Sequence, residues 1–492
     1  MYVATSKQMK AYDLALLSEG YKIEELVDKA SNAILKHCVN YNNIVIVCGP
    51  GNNGADGLSL GIKLHLGQRN VSLYCFGNPD KLSQANNYYI EQAQELEVPI
   101  TFMGEEDIPF FIKDAKRADL IVDAMFGFGL NSEVRGIGKR LINEINNLRD
   151  IDVIAIDIPT GLNPDTGIPY GNVICASKTV SLTALKQAFL NEECHIYTGQ
   201  IAVELLDTVD FRRTLSLAKL VSPSRIKFLL KPRDYYAHKG VYGKILHLTG
   251  CDHYRGAALL ASKAAVYTGS GVVCVCSSEK VVDALSTSVF ECISMVRDEI
   301  LSEEVFENRD AILIGSGLGL NQQSEQYVVD TLKNTKCPLV IDGDALTIIS
   351  NHLDLLKECS QPVILTPHSG EFKRLCDYDD ELDMIEKVIQ FALVYNVIVV
   401  LKGPNTIITD GKEVYRNITG NKAMATAGMG DVLAGIISSF VGQGYLPKAA
   451  AILGTYVHGY CGDIVGENAY TVIPSKLIDL IPKVMDEILN EE

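Results

Sequence analysis

Short apolar runs that end on glycine and polar residues recur along the chain, separated by stretches of helical periodicity. In the first half they are Ile44 to Cys48, Leu120 to Val122 and Val153 to Ile156. The second half begins with KILHLTG and VVCVCS and continues through Ala311 to Gly319, Pro338 to Leu346, Val363 to Phe372 and Val397 to Thr406. Runs of this length, β-branched and bounded by turn residues, predict buried strands of parallel sheets. The stretches between them predict covering helices, so the fold class is α/β. The opening segment to about Cys38 reads as helical, with Leu14, Leu17, Ile23, Leu26, Ala30, Ala33 and Ile34 as core positions. Regular alternation lapses after Leu206 into DTVDFRRTLSLAKLVSPSR, which places a boundary near Leu215. Two domains are expected, 1–215 and 216–492, a count that the length of 492 residues also favours.

The ends of the runs carry the candidate chemistry. Ile44 to Cys48 leads into GPGNNGADG, Gly49 to Gly57, before helical spacing resumes at Leu58. Such loops at the C-terminal ends of strands bind ligands in open α/β sheets, and Asn52, Asn53 and Asp56 add more side-chain oxygen than a plain turn needs. A structural turn is the alternative. Asp123 and Asp157 close the next two runs, with Thr160 just beyond. Parallel strands would gather Asn53, Asp123, Asp157 and Thr160 into one oxygen-rich cleft suited to a hard cation, although a strand-end aspartate is also a common turn former. Lys186, in SLTALK, supplies a cation or, if buried, a proton-transfer group.

In the second half, GNKAMATAGMGDVLAG runs from Gly420 to Gly435. Helical spacing of Val432, Leu433, Ile436, Ile437 and Phe440 predicts a helix starting near Asp431, with one buried face and free N–H groups at its mouth. Those donors and Gly428 and Gly430 make an anion cradle, and Asp431 beside it suits a general base for phosphoryl transfer to a hydroxyl. A glycine loop with Asp431 as a cap fits this stretch equally well. Gly315, Gly317 and Gly319 allow close approach to a ligand, and Asp342 and Asp344 offer oxygens to a phosphate-bound magnesium ion. His368 and Lys402 sit at the ends of two further runs, where an imidazole and an ammonium meet a ligand or simply complete turns.

Composition narrows the classes. Hydrophobic residues at 47% and charged residues at 21% describe a globular protein, and no apolar run is long enough to cross a bilayer. The start, MYVATSKQMKAYD, shows neither a basic leader nor an apolar signal core, so a cytoplasmic location is expected. The 13 cysteines are scattered without a CxxC pair and read as buried thiols. A formal charge of −17 disfavours nucleic acid and points to small-molecule ligands.

These motifs together resemble the bifunctional NAD(P)H-hydrate repair enzymes over nearly the whole chain. GPGNNGADG, VDAMFGFGL and DIPTGL resemble the Rossmann-like epimerase domain of that family. HKGVYGKILHLTG, YRGAALLA, GSGLG, TPHSGE, KGPNT and AGMGDVLAG resemble its ribokinase-like dehydratase domain. Ala55, Phe128 and Ser369 depart from the family's usual glycine, threonine and proline. The resemblance implies two three-layer sandwiches, Rossmann-like for 1–215 and ribokinase-like for 216–492. It implies a first domain that interconverts the R and S hydrates of NADH and NADPH (NADHX and NADPHX) with a potassium ion on Asn53, Asp123 and Thr160. Hydrate would bind Asn52, Asn53, Gly54, Ala55 and Asp56, then Gly127, Phe128, Gly129, Leu130, Asn131, Ser132 and Glu133, and Asp157. Asp123 and Lys186 are the catalytic candidates there.

The second domain would dehydrate the S hydrate with ADP or ATP and a magnesium ion. Ala257, Gly317, His368 and Asp431 would face the hydrate, with Asp431 as the catalytic base. Lys402, Gly403, Pro404, Asn405, Thr406 and Gly430 would hold the nucleotide. The expected partners are these small molecules, with neither nucleic acid nor membrane, and a homo-oligomer is expected. The alternative is a ribokinase-like kinase of a small alcohol carrying a non-catalytic first domain.

Overall fold

The computed structural model describes residues 1–78, 81–148, 150–212, 214–298, 301–376 and 384–490. The chain divides into two compact units, Met1–Leu217 and Ala218–Glu492. Among the described residues no helix is long and apolar enough to cross a membrane.

The first unit opens with β1 (Tyr2–Ala4), α1 (Ser6–Ser18) and α2 (Ile23–Cys38), then β2 (Asn43–Cys48), α3 (Asn52–Leu66), β3 (Asn70–Cys75) and α4 (Gln84–Glu95). It continues with β4 (Ile100–Phe102), α5 (Ile108–Ala115), β5 (Leu120–Ala124), α6 (Gly136–Asn146) and β6 (Asp152–Ile156). β7 (Lys178–Leu182), β8 (Leu185–Lys186), α7 (His195–Thr198) and β9 (Gln200–Glu204) complete it. Seven strands form a parallel sheet in the order β4-β3-β2-β5-β6-β7-β9. Apolar clusters fill both faces, around Ile46 and Leu58 on one and around Val47 and Phe111 on the other. Such two-sided burial explains why the strands read as continuous apolar runs.

The opening segment differs from the expectation. It holds a strand and two helices, and Leu14 and Leu17 are exposed at 57% and 37%. Met9, Tyr12 and Leu16, at i, i+3 and i+7, set the inward face of α1 and leave the Leu14 and Leu17 stripe outside. The loop after β2 is also shorter than expected. Only Gly49 to Gly51 lie between strand and helix, so Asn52 to Asp56 form the first turns of α3.

The second unit starts with β10 (Ala218–Leu220), α8 (Pro223–Leu229), β11 (Lys244–Leu248), α9 (Arg255–Tyr267) and β12 (Val272–Ser277). α10 (Glu279–Ser288), β13 (Cys292–Val296), β14 (Ala311–Ile314), α11 (Gln322–Asn334) and β15 (Leu339–Ile341) follow. Next come α12 (Asp344–Ile349), α13 (Asp354–Glu358), β16 (Val363–Leu365), α14 (Ser369–Leu375), α15 (Met384–Tyr395) and β17 (Ile398–Leu401). β18 (Thr406–Thr409), β19 (Val414–Asn417), α16 (Met429–Gly442), α17 (Pro447–Gly466) and α18 (Pro474–Asn490) end it. Its strands run β13-β12-β11-β14-β15-β16-β17 in parallel, followed by the antiparallel β18 and β19 and by β10.

α16 is buried on nearly every side rather than on one face, because it lies among α9, α17 and β14. Truncation of the fully buried Phe440 to alanine would cost about 3–5 kcal/mol. A methyl group on Gly435 would overlap the Ala261 carbonyl, so this glycine sets the approach of α16 to α9. Gly428 caps α16 at φ +95°, a left-handed conformation that turns the loop into the helix mouth.

Candidate active sites

In the first unit the sheet order turns at the neighbouring strands β2 and β5, and the polar loops meet in the crevice at that switch point. Asp123, on β5, is fully buried. Its Oδ2 accepts the Thr160 N–H at 2.8 Å, and its Oδ1 accepts the Thr160 hydroxyl at 2.7 Å and the Met125 N–H at 3.2 Å. Burial pushes this carboxyl up to about 6 against the pull of those bonds. Thr160 Oγ1 also accepts the Phe126 N–H at 3.0 Å and lies 3.3 Å from Phe126 O. Asn53 leans on Gly127, where an added Cβ would stand 3.2 Å from Asn53 Oδ1. The Asn53 Nδ2 is buried with no hydrogen-bond partner.

Asp157 belongs to a second centre. It follows β6 in the left-handed region at φ +68°, a conformation that costs a non-glycine residue on the order of 1–3 kcal/mol. Its Oδ1 accepts the Leu182 N–H at 3.1 Å and pairs with Lys186 Nζ at 2.5 Å. Lys186 is completely buried beneath this pair and also donates to Leu182 O at 3.0 Å and to Ser181 Oγ at 3.2 Å.

Along the rim, Asn52, Gly129, Asn131 and Ser132 are exposed, Leu130 is partly buried, and Glu133 pairs with Lys139 at 2.7 Å. Gly54 is pressed against the Gly49 carbonyl. Ala55 turns its methyl group into the core instead of the cleft. Phe128 packs on the small cluster of Ala4, Met9, Ala184 and Leu217. Both departures from the family pattern are therefore accommodated by packing.

In the second unit the C-terminal ends of β14 to β17 collect the charged groups. Asp342, only 2% exposed, accepts from Ser316 Oγ at 2.9 Å, Thr366 Oγ1 at 2.7 Å and Lys402 Nζ at 3.0 Å. Lys402 Nζ also lies 3.7 Å from Glu371 Oε2, and a Cβ on Gly430 would stand 3.1 Å from it. Its ammonium thus sits at the mouth of α16, held by carboxylates. Asp344 accepts the Gly319 N–H at 2.8 Å and is partly exposed, so its carboxylate is more open than that of Asp342.

Asp431 is in the first turn of α16, where the N–H groups have no intrahelical acceptor. Burial and then Asp342 push its carboxyl up to about 7, while Lys402 and a hydrogen bond from Ser316 pull it down. Gly317, at φ +63°, packs so closely on Ala257 that an added Cβ would lie 2.7 Å from the alanine methyl. His368 caps α14, its Nδ1 accepting the Gly370 N–H at 3.0 Å and leaving the ring half exposed. Gly403 and Pro404 are exposed at the turn into β18, Asn405 is partly buried, and Thr406 closes the turn by donating to Gly403 O at 3.0 Å.

Comparison with known proteins bears on both units. Residues 245–483 match the family model described as NAD(P)H-hydrate dehydratase, and residues 23–188 match that of the YjeF-related protein N-terminus. The bifunctional NAD(P)H-hydrate repair enzyme of Thermofilum pendens is 31% identical over 95% of this chain and 93% of its own. That of Moorella thermoacetica is also 31% identical, over 100% of this chain and 98% of its own. The chain belongs to the bifunctional NAD(P)H-hydrate repair enzyme family. Among solved structures, the ADP/ATP-dependent NAD(P)H-hydrate dehydratase of Bacillus subtilis, co-crystallised with ATP and magnesium, is 30% identical. It covers 55% of this chain and 99% of its own with a TM-score of 0.50. A ribokinase-like protein of Enterococcus faecalis is 28% identical over 56% of this chain and 97% of its own, at a TM-score of 0.52. The C-terminal half of this family member is accordingly ribokinase-like.

Several groups at these sites escape a reading of the sequence. Glu371 carries a signal, since its side chain accepts the His368 N–H at 2.8 Å in a capping box. Asp463 of α17 accepts the Gly420 N–H at 2.9 Å and the Asn421 amide at 3.1 Å, anchoring the start of the glycine loop. Only the spacing of Gly459, Gly462 and Gly466 hints that this face of α17 approaches another backbone. Ser316 and Thr366 carry no signal, because a hydroxyl after a strand is ordinary.

Proposed function

We propose that this protein repairs hydrated NADH and NADPH, its first half interconverting the R and S hydrates and its second half dehydrating the S hydrate with ADP or ATP. The observation that carries the reading is Asp431: a carboxyl near neutrality, beside the partly buried Lys402, at the open N-terminus of a helix. A helix mouth attracts phosphate, and a base of this strength takes a proton from a neutral hydroxyl at neutral pH. The hydrate hydroxyl, deprotonated by Asp431, attacks the terminal phosphoryl group. Phosphate then leaves with the ring carbon's former oxygen, and loss of a neighbouring proton restores the conjugated reduced nicotinamide. Lys402 and the first N–H groups of α16 support the charge that gathers on phosphate.

Magnesium bound with the nucleotide would neutralise part of the phosphate charge, and Asp344 is the carboxylate with room to hold it. In the first half, Asp123, Thr160, the side-chain oxygen of Asn53 and the Phe126 carbonyl offer only oxygens to a cation. The set fits potassium, for which such oxygens replace the hydration shell. There Asp123 and Thr160 would order the loop Gly127–Glu133 around the hydrate.

Incubating the full chain with S hydrate, magnesium and either nucleotide tests the reading through the return of reduced-nicotinamide absorbance. Recovery that requires nucleotide and releases phosphate supports it. Accumulation of a stable phosphorylated product would instead identify a small-alcohol kinase.

A further inference from the structure

Asp13 lies on α1, outside the motifs that carry the family likeness, yet the fold brings it within electrostatic reach of Asp157 and Lys186. The register of β1 on β8 sets Ala4 beside Lys186, so α1 begins two residues beyond a strand that lies against the buried lysine. Three bonds then fix the helix: the Ser6 N–H to Asp165 at 2.7 Å, Gln8 Nε2 to Ser216 O at 3.5 Å, and the Tyr12 hydroxyl to Val209 O at 3.0 Å. Met9 and Asp13 stand one turn apart on one face of α1. Met9 packs in the cluster that receives Phe128 of the substrate loop. The charges of Asp157 and Lys186 act on Asp13, and Asp13 in turn acts on Asp56 of α3.

We propose that Asp13 is the acid of the epimerising centre, working beside the Asp157–Lys186 ion pair. The inference rests on the epimerase reading of the first half. Asp13, Asp56 and Asp157 lie within electrostatic reach of one another, and Lys186 answers Asp157 directly at 2.5 Å. Burial and Asp157 push the Asp13 carboxyl up to about 7, with Lys186 opposing. Burial, Asp157 and Asp13 push the Asp56 carboxyl up, with Lys63 opposing. Asp123 is tied by its three hydrogen bonds. An acid balanced near neutrality both gives up and regains a proton, which leaves Asp13 as the group matched to the task.

The hydrate is a hemiaminal, with its hydroxyl on the carbon next to the ring nitrogen. Asp13 passes its proton to that hydroxyl oxygen, the C–O bond breaks with its electron pair leaving on water, and the nitrogen lone pair closes an iminium. Water adds to the opposite face and returns one proton to Asp13. Nothing is oxidised or reduced, and the proton count is unchanged.

The test uses the full-length protein without nucleotide, separated R hydrate, and interconversion followed across pH after subtraction of the spontaneous rate. Asp13→Asn is expected to slow interconversion about 100-fold. Asp13→Glu should recover part of it, and the decline of the wild-type rate as pH rises through about 7 should be absent from the residual activity. An Asp13→Asn protein with the wild-type rate and pH profile would overturn the assignment. So would a loss that Asp13→Glu does not restore, accompanied by a lowered melting temperature, which would make Asp13 a packing residue. Wild-type protein that fails to accelerate interconversion would overturn the epimerase reading itself.

Discussion

Lys402 Nζ lies 3.0 Å from Asp342 Oδ1, and this ion pair stands beside the carboxyl of Asp431 at the mouth of α16. The arrangement separates two carboxylates by environment. Asp342 accepts from the ammonium and from two hydroxyl donors. Asp431 is desolvated by burial and repelled by Asp342, with only partial compensation from Lys402, so it holds its proton up to about pH 7.

Replacing Asp431 with asparagine removes the base and leaves the helix mouth intact. Nucleotide-dependent dehydration is expected to fall about 10²–10⁴-fold. ADP binding measured by calorimetry should persist. Unchanged turnover would remove Asp431 from the mechanism.

The pH dependence of dehydration follows from the same carboxyl. Its pKa is raised to about 7, so the basic form dominates above that pH and is lost below it. Turnover at saturating substrates should fall by about tenfold per pH unit on the acid side and level off on the alkaline side. Epimerisation by the first half is expected to show the opposite slope across the same range, since it calls on an acid.

Lys402→Met leaves Asp342 buried with only the Ser316 and Thr366 hydroxyls. Breaking a buried pair costs about 3–5 kcal/mol, and the one-fifth exposure of the Lys402 side chain favours the lower end. A denaturant melt measures this loss. Asp431 also loses the cation that lowers its pKa, so the dehydration profile should move to higher pH.

Asp123→Ala removes the acceptor that fixes Thr160 and one oxygen of the proposed potassium set. Interconversion of the hydrates and its stimulation by potassium should both disappear while nucleotide-dependent dehydration continues. Simultaneous loss of both activities in a folded variant would contradict separate sites.

Much of this architecture is legible in the sequence because strands buried on both faces must be apolar throughout, and because their C-terminal ends must stop on turn formers. That places Asp123, Asp157, Asp342 and Lys402 at sheet edges, while the helical spacing of Val432 to Phe440 places Asp431 at a helix mouth. Contacts between elements distant in the chain are less legible. Nothing local marks that Lys402 is held by Asp342, or that Asp463 anchors Gly420 from α17. Leu14 and Leu17 mislead because α1 carries two apolar stripes and only that of Met9, Tyr12 and Leu16 meets the core. Asp13 is hidden for a related reason: its placement depends on the pairing of β1 with β8.

The most direct measurement follows the hydroxyl oxygen itself. S hydrate carrying oxygen-18 at that position is turned over with ADP or ATP, and the products are analysed by mass spectrometry. Phosphorylation of the hydroxyl before C–O cleavage requires the label to leave in inorganic phosphate. Label recovered in water, with unlabelled phosphate, would show that nucleotide hydrolysis and dehydration are not joined through that oxygen.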